Sequence, residues 1–251
     1  MLLVDALAPS PASRIVFVGA GGKTTTLFHL AHSLPGTVWV TTTTHLEVRQ
    51  AQLADQHFII DSPEELASPL LWSKKVTLMT GLMTIDYRLH GPDEPVLEEM
   101  KRLAKKKGVF LLVEADGARQ LALKAPADHE PAIPIWIDTA FVCAGLSALG
   151  KPLSPGFVHR PELYAALSGL QPGEAITPNA VAGVLLHPQG GLKGIPLGAR
   201  RIALLNQADV FPNLQPAFEI AEKLLAGGYA GVFIASMRDH PADGIWFEKK
   251  G

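Results

Sequence analysis

The chain has 251 residues, of which 47% are hydrophobic and 18% are charged, and its formal net charge at pH 7 is -2. This composition supplies a sizeable apolar core and excludes a disordered chain, while the near-neutral charge argues against a dedicated nucleic-acid or membrane-surface binder. With one cysteine, Cys143, the chain can form neither an internal disulfide nor a multi-cysteine metal site.

The N-terminus has the features of a protein that stays inside the cell. Residues 1–5 have no basic segment and end in an acid, so they make a poor signal peptide. The sequence has no run of 18 apolar residues, so no membrane span is expected. We therefore expect a cytoplasmic protein with neither nucleic acid nor membrane as a partner. The composition leaves its oligomeric state open.

After a short lead-in over residues 1–13, a strand, a glycine turn and a helix follow one another over residues 14–33. Glycines let successive N–H groups point at an anion, and the start of a helix adds its dipole. This order predicts a phosphate-binding loop, in which Lys23 reaches the β- and γ-phosphates and the Thr24 hydroxyl ligates Mg²⁺. The short spacing, G-x-x-G-K-T-T, resembles the loop of Mur-ligase-type ATP-using enzymes. The candidate nucleotide-binding residues of the loop are Gly19, Ala20, Gly21, Gly22, Lys23, Thr24 and Thr25.

A second predicted strand, residues 37–41, ends in the polar cluster Thr42-Thr43-Thr44-His45. Ligands of open α/β sheets sit at the carboxyl ends of strands, so Thr43 and His45 are candidate substrate contacts. A β-favouring threonine tail is the alternative. The sequence pattern then predicts strands at 57–60 and 76–80, with a helix capped by Ser62 between them. A turn or small hairpin at 87–92 and a helix ending at Gly108 follow.

The most apolar predicted strand, residues 109–113, is followed at once by Glu114 and Asp116. A continuous apolar run indicates a central strand covered on both faces. An acid at the tip of such a strand is the second component that a phosphate-binding loop needs, because it holds Mg²⁺ directly or through water. Both Glu114 and Asp116 qualify.

Residues 118–131 have little periodicity and predict an irregular loop near the strand tips. Arg119 and Lys124 are candidates for neutralising phosphate charge in a transition state. His129 is a candidate base or ligand, with a structural His–Glu pair as the alternative.

The next part of the chain predicts a strand at 139–144, a helix at 163–170 and a helix from Thr177 to near His187. We expect a single domain, in which residues 145–200 form either a lid or a small subdomain, and residues 189–194 form a flexible loop. His159 and Arg160 open the first of these helices and are further candidate substrate contacts.

A late predicted strand, residues 201–205, ends in Asn206-Gln207-Ala208-Asp209. This resembles the N-K-x-D motif with which GTP-binding proteins recognise guanine, so Asn206 and Asp209 are candidate base contacts. Gln207 replaces the lysine, and the choice between ATP and GTP stays open. A helix over 214–225 and a core strand over 231–235 complete the prediction.

Several motifs are spread over nearly the whole chain. They are G-A-G-G-K-T-T at 19–25, T-T-T-T-H at 41–45, E-A-D-G-A-R at 114–119, L-K-A-P-A-D-H-E-P at 123–131, H-R-P-E at 159–162 and N-Q-A-D at 206–209. Taken together, they resemble one family, the selenium-dependent (molybdenum) hydroxylase accessory proteins of YqeC type. The resemblance implies an accessory factor for maturing molybdenum hydroxylases, with the hydroxylase or its cofactor as a partner.

The sequence therefore predicts a three-layer α/β domain of the P-loop NTPase class, with a mainly parallel sheet and helices on both faces. The leading hypothesis is Mg²⁺-dependent binding and hydrolysis of ATP or GTP, or phosphoryl transfer. One alternative is a nucleotide-gated chaperone that transfers a cofactor. Another is an ATP-dependent ligase or kinase acting on a small acid or cofactor precursor.

Overall fold

The structure, a computed structural model, describes residues 1–238 and 244–249. Within these residues the strands are β1 (Arg14–Gly19), β2 (Val38–Thr42), β3 (His45–Glu47), β4 (Gln56–Ile59), β5 (Val76–Thr80), β6 (Arg88–His90), β7 (Phe110–Glu114), β8 (Leu123–Lys124), β9 (Thr139–Gly145), β10 (Val158–His159), β11 (Arg200–Asn206), β12 (Gly231–Ala235) and β13 (Gly244–Glu248). The α-helices are α1 (Leu3–Leu7), α2 (Lys23–Ser33), α3 (Glu94–Lys107), α4 (Pro161–Ser168), α5 (Pro178–Leu186) and α6 (Gln215–Ala226).

Most of the strands form one sheet with the order β13-β12-β11-β9-β1-β7-β2-β5-β4. The pairings are parallel except at the edge, where β13 runs antiparallel to β12. Because β1 lies between β9 and β7, the loop after β1 lies beside the tip of β7, and Phe17 is in register with Glu114. An antiparallel ribbon, β3–β6, and a short parallel pair, β8–β10, form separate two-stranded sheets.

Helices cover both faces of the sheet because alternate residues of its central strands point to opposite sides. Val16 and Val18 of β1 belong to a buried cluster that includes apolar side chains of α3, α5 and α6. Ile15 and Phe17 belong to a second cluster with α1 and α2. The predicted α/β class, with a large and mostly parallel sheet between helices, is confirmed.

The predicted bounds match the structure at 14–19, 76–80 and 231–235. The helix predicted after Ser62 is wrong, because Pro63–Ala67 forms a short 3-10 turn and the Ser62 side chain caps no backbone amide. Pro69 explains the difference, since the residue before a proline avoids the α-helical conformation and Ser68 is extended.

The lead-in, residues 1–13, contains a helix that the sequence analysis missed. Leu3 and Leu7 of α1 are buried, and Arg200 Nη1 donates to the Leu7 carbonyl oxygen at 2.9 Å. In the described part of the chain, we find no helix with the length and apolar character that crossing a bilayer requires.

Residues 145–200 contribute β10, α4 and α5 to the structure, and Val181 and Val184 of α5 lie in the core. Residues 189–194, predicted as a flexible loop, are packed closely against α5. A Cβ atom on Gly190 would collide with the Val184 carbonyl oxygen.

Candidate functional site

The loop between β1 and α2 has a backbone that only glycine allows. Gly21 has φ +80° and Gly22 has φ +121°. A Cβ on Gly21 would collide with the Gly145 amide, and one on Gly22 would collide with Asn206 Nδ2. The glycines therefore permit both the left-handed turn and the close approach of the neighbouring segments.

The loop presents unpaired backbone amides at the start of α2. The Ala20 amide donates to the Cys143 carbonyl at 2.9 Å, and the Gly21 amide donates to the Leu121 carbonyl at 3.0 Å. The next four amides, those of residues 22–25, donate to no group within residues 1–238 and 244–249. Unpaired amides at the start of a helix form a ready anion-binding site.

Lys23 lies across this loop with its ammonium group buried. Its Nζ donates to the Gly19 carbonyl at 2.8 Å and lies 3.2 Å from Asp116 Oδ1, and the side chain is 4% exposed. Burial acts to lower the pKa of Lys23, but the carboxylates of Asp116 and Glu114 outweigh it and raise that pKa above its ordinary value. The group therefore stays cationic at the centre of the loop.

Thr24 and Glu114 bring two oxygen atoms together beside the loop. Thr24 Oγ1 donates to Glu114 Oε2 at 2.7 Å and accepts from Gln50 Nε2 at 3.1 Å. Burial raises the pKa of Glu114, although Lys23 and Thr24 oppose that effect. The described residues contain no cluster of three or more His, Cys, Asp or Glu side chains that would hold a metal by itself. A hydroxyl and one carboxylate instead fit Mg²⁺, which takes oxygen ligands and completes its shell with water and phosphate oxygens.

Asp116 has a different role from Glu114, although the two acids are separated by one residue. Asp116 Oδ2 accepts the Gly19 amide at 3.0 Å and lies 2.9 Å from Lys124 Nζ. Asp116 therefore fixes the loop and its lysine, while Glu114 faces the Thr24 hydroxyl.

Charged side chains that are buried or half-buried alternate in sign from the loop to the start of α4. Lys124 Nζ lies 2.9 Å from Asp116 and 2.7 Å from Glu130 Oε2, and Arg160 donates to both Glu130 carboxylate oxygens at 2.7 and 3.0 Å. Burial acts to raise the pKa of Glu130, but the hydrogen bonds from Arg160 and Lys124 overcome it and hold that pKa at about 2. We call this series, Lys23–Asp116–Lys124–Glu130–Arg160, the charge chain.

Two adjoining clefts lie at the loop, one with lining residues near β7 and one with lining residues near β11. The larger, of about 1120 Å³, is lined by Lys23, Thr24 and Glu114. The smaller, of about 670 Å³, lies on the side of β11 and is lined by Gly22, Asn206 and Asp209 among others. A ligand bound to the loop amides would therefore have room on both sides.

The predicted base-contact residues occupy different positions. Asn206 is buried, and its amide donates to the Gly21 carbonyl at 2.7 Å and accepts from the Met237 amide at 2.9 Å. These two bonds join the loop between β1 and α2 to the chain that follows β12. Asp209 is exposed at the smaller cleft.

The predicted substrate contacts do not all meet at the loop. His45 lines the larger cleft, and the Thr43 amide donates to the Glu114 carbonyl at 3.0 Å. Arg160 is the last member of the charge chain, and the half-buried His159 precedes it in sequence. The exposed His129 lines neither cleft. The sequence analysis also missed residues of the larger cleft, namely Arg49, Gln50 and Arg88. Arg88 reaches the site through the β3–β6 ribbon, and Arg49 and Gln50 reach it through the 3-10 turn that follows β3. No local motif indicates either arrangement.

Residues 15–162 match the profile of a family described as "YqeC protein". That stretch contains the loop between β1 and α2, both strand-tip acids and the charge chain. Among curated proteins, the chain is similar to "Uncharacterized protein YqeC" of Escherichia coli (strain K12), with 28% identity over 247 residues that cover 96% of this chain and 94% of that protein. No solved structure matches the chain.

Proposed function

The chain belongs to the YqeC family, and we propose that it is a Mg²⁺-dependent ATP- or GTP-binding and hydrolysing accessory protein for maturation of a selenium-dependent molybdenum hydroxylase. The observation that carries the nucleotide part is the set of four unpaired amides, residues 22–25, beside the Thr24–Glu114 contact. We infer a P-loop NTPase-like fold from the same loop, since it joins a central parallel strand to a helix.

Each group of the loop has a part in holding the ligand. The amides of residues 22–25 would bind phosphate oxygens, and Lys23 would turn from the Gly19 carbonyl towards the β- and γ-phosphates. Thr24 and Glu114 would hold Mg²⁺, and we assign this role to Glu114 because Asp116 is engaged by Gly19 and both lysines. The bound ion would supply neutralisation of phosphate charge.

The smaller cleft is the proposed place of the base. It lies on the β11 side of the loop and includes Asp209, whose carboxylate is able to accept from ring and exocyclic N–H groups of a purine. The hydroxylase part of the proposal is supported by family membership alone. In this proposal the nucleotide chemistry serves the maturation of a molybdenum enzyme.

The test is calorimetric titration of ATP and GTP, with and without Mg²⁺, into the wild type and two variants. Thr24→Val keeps the side-chain shape, and we expect it to remove the Mg²⁺ dependence. We expect Lys23→Ala to remove binding in the presence of Mg²⁺. A folded wild-type protein that binds neither nucleotide would overturn the proposal.

The charge chain favours a second candidate, a nucleotide-gated chaperone for cofactor transfer. Phosphates that draw Lys23 away from Asp116 would disturb an ion-pair series that ends at Arg160, next to α4. Nucleotide-dependent, stoichiometric binding to an apo-hydroxylase without turnover would support this candidate. Binding that is independent of nucleotide would remove it.

A further inference from the structure

Four arginines line the larger cleft. One of them, Arg238, also lines the smaller cleft, and the other three come from separate segments on the Glu114 side of the loop. Arg49 lies in the 3-10 turn Val48–Leu53, Arg88 lies in β6, and Arg119 lies in the loop after β7. All three residues are exposed. We call them the arginine wall. They are far apart in sequence, and the fold brings them to one side of one cleft.

A ring of hydrogen bonds fixes the segments of the wall to the phosphate loop. The Gly21 amide donates to the Leu121 carbonyl at 3.0 Å, and Gln120 Nε2 donates to Glu47 Oε1 at 3.0 Å. Glu47 accepts from Arg49 Nε at 2.5 Å, and the adjacent Gln50 returns to the loop through its bond to Thr24. The segments of Arg49 and Arg119 are therefore held at a set position relative to the loop, and the segment of Arg88 is held through the pairing of β6 with β3.

The backbone at Arg119 has an unusual conformation. Arg119 and Gln120 are consecutive non-glycine residues with φ +48° and +60°. Left-handed conformations at such residues carry strain and occur at functional sites more often than elsewhere. Here the conformation lets Gln120 bond to Glu47 while Arg119 lines the cleft.

The charge of the cleft is not balanced by its own acids. Its lining has five lysine and arginine side chains and two carboxylates, Glu47 and Glu114. Arg49 is paired with Glu47, and Arg88 with Asp86 at 3.3 Å; both pairs are exposed. Within the described residues, Arg119 is in no ion pair. Exposed pairs contribute little free energy, so a more highly charged anion is able to replace them.

The wall lies away from the cleft assigned to the base. In the sheet, β11 and the smaller cleft are on one side of β1, and β7 with Glu114 is on the other. A nucleotide placed as proposed would direct its terminal phosphate towards the wall. This orientation rests on the proposed function, whereas the positive charge of the wall does not.

We propose that the arginine wall binds the phosphate group of a second substrate, a phosphorylated small molecule, opposite the terminal phosphate of the nucleotide. Arginine forks bind phosphate and carboxylate in similar geometry. The excess positive charge favours a phosphate dianion over a singly charged carboxylate. Several arginines would also offset repulsion between the bound phosphate and the nucleotide.

The test is an NMR titration with inorganic phosphate, carried out in the Lys23→Ala background, which removes the cation of the phosphate loop and leaves the loop amides in wild-type and arginine variants alike. The reporter is the imidazole of His45, which lines the same cleft. We expect the His45 resonances to shift saturably with phosphate. Adding Arg88→Gln and Arg119→Gln should lower the phosphate affinity at least tenfold. The matched control, Arg102→Gln with Lys106→Gln on the exposed face of α3, removes the same charge and should leave the affinity unchanged.

Unchanged affinity in the arginine variant would overturn the proposal, and so would equal binding of acetate, which would assign the wall to carboxylates. If Lys23→Ala does not fold, the wild type saturated with a Mg²⁺-bound, non-hydrolysable nucleotide serves instead. Arginine-dependent phosphate binding in a protein that binds no nucleotide would leave the wall standing and overturn only the proposed function. Nucleotide binding without phosphate binding at the wall would overturn the wall proposal and leave the proposed function standing.

Discussion

Lys124 and Asp116 form a buried ion pair, with 2.9 Å between Lys124 Nζ and Asp116 Oδ2 and only 2% of each side chain exposed. The sequence analysis predicted that Lys124 would neutralise phosphate charge. In the structure the ammonium group of Lys124 lies between two carboxylates and the Gly117 carbonyl. Lys124 therefore organises the charges behind the loop.

The first prediction concerns this lysine. Lys124→Met would leave the carboxylates of Asp116 and Glu130 buried without their shared cation, so we expect it to lower the free energy of unfolding by about 3–5 kcal/mol. Denaturant titration measures the change. The control is Lys101→Met in the exposed α3 pair with Glu98, which should change stability by less than about 1 kcal/mol. Equal effects in the two variants would contradict the role given to the charge chain.

The second prediction separates the two acids of the β7 tip. Glu114→Gln retains an acceptor for Thr24 Oγ1 but removes the negative charge proposed to hold Mg²⁺. We expect nucleotide binding without Mg²⁺ to remain and the gain in affinity on adding Mg²⁺ to disappear, as measured by calorimetry. A full Mg²⁺ effect in this variant would transfer the metal role to another residue.

The third prediction compares two glycines with positive φ. A Cβ on Gly22 (φ +121°) would collide with Asn206, whereas one on Gly36 (φ +79°) meets nothing within 4 Å. We expect Gly36→Ala to cost about 1–2 kcal/mol of backbone strain and to leave nucleotide binding intact. Gly22→Ala should lose nucleotide binding. Retained affinity in Gly22→Ala would show that the loop geometry is not required.

The fourth prediction separates the residues proposed for base contact. Asn206→Asp cannot donate to the Gly21 carbonyl, so we expect it to weaken ATP and GTP binding equally and to lower stability. Asp209→Asn replaces an acceptor-only carboxylate at the smaller cleft with an amide that also donates. We expect this variant to change the ratio of the ATP affinity to the GTP affinity. An unchanged ratio would place the base elsewhere.

The fifth prediction is a pH dependence of stability. Burial, and then the charges of Arg160, Lys124 and Arg119, lower the pKa of His159 to about 4 from its usual 6.5. Between pH 4 and pH 6.5, His159 binds a proton in the unfolded state but not in the folded state. The free energy of unfolding is therefore not reduced by His159 above pH 6.5, and it falls as the pH drops from 6.5 towards 4.

We expect His159→Asn to reduce the slope of stability against pH in that range by up to one bound proton. Urea titrations between pH 4.5 and 7.5 measure the slope. Glu130 acts at lower pH. Because its pKa is about 2 in the folded protein and 4.5 ordinarily, it contributes stability that is lost as the pH falls from 4.5 towards 2. An equal slope in wild type and His159→Asn would contradict the assignment.

The central strands were predictable because local sequence determines them. Ile15 to Val18 and Phe110 to Val113 are continuous apolar runs, which are typical of parallel strands covered on both faces. The positions of the glycine loop after β1 and of the acids at the tip of β7 were predictable for the same reason, because these residues are contiguous or fall directly at a strand end. Their binding of phosphate and Mg²⁺ stays a prediction.

The missed elements depend on contacts between distant parts of the chain. The helix α1 has five residues, too few to show a helical period, and its amphipathic face is visible only once Leu3 and Leu7 are buried. Arg88 comes to the cleft because β6 pairs with β3, where it is in register with Glu47. No spacing in the sequence indicates that register.

The charge chain also constrains which substitutions a lineage can accumulate. Loss of an interior member such as Glu130 would leave Lys124 and Arg160 without the carboxylate between them, so that the two cations repel each other. We expect this loss to be tolerated only together with loss of one of the two cations. Loss of Arg160, at the end, leaves the rest alternating in sign. We therefore expect interior positions of the chain to covary in pairs among relatives, and the Arg160 position to change alone.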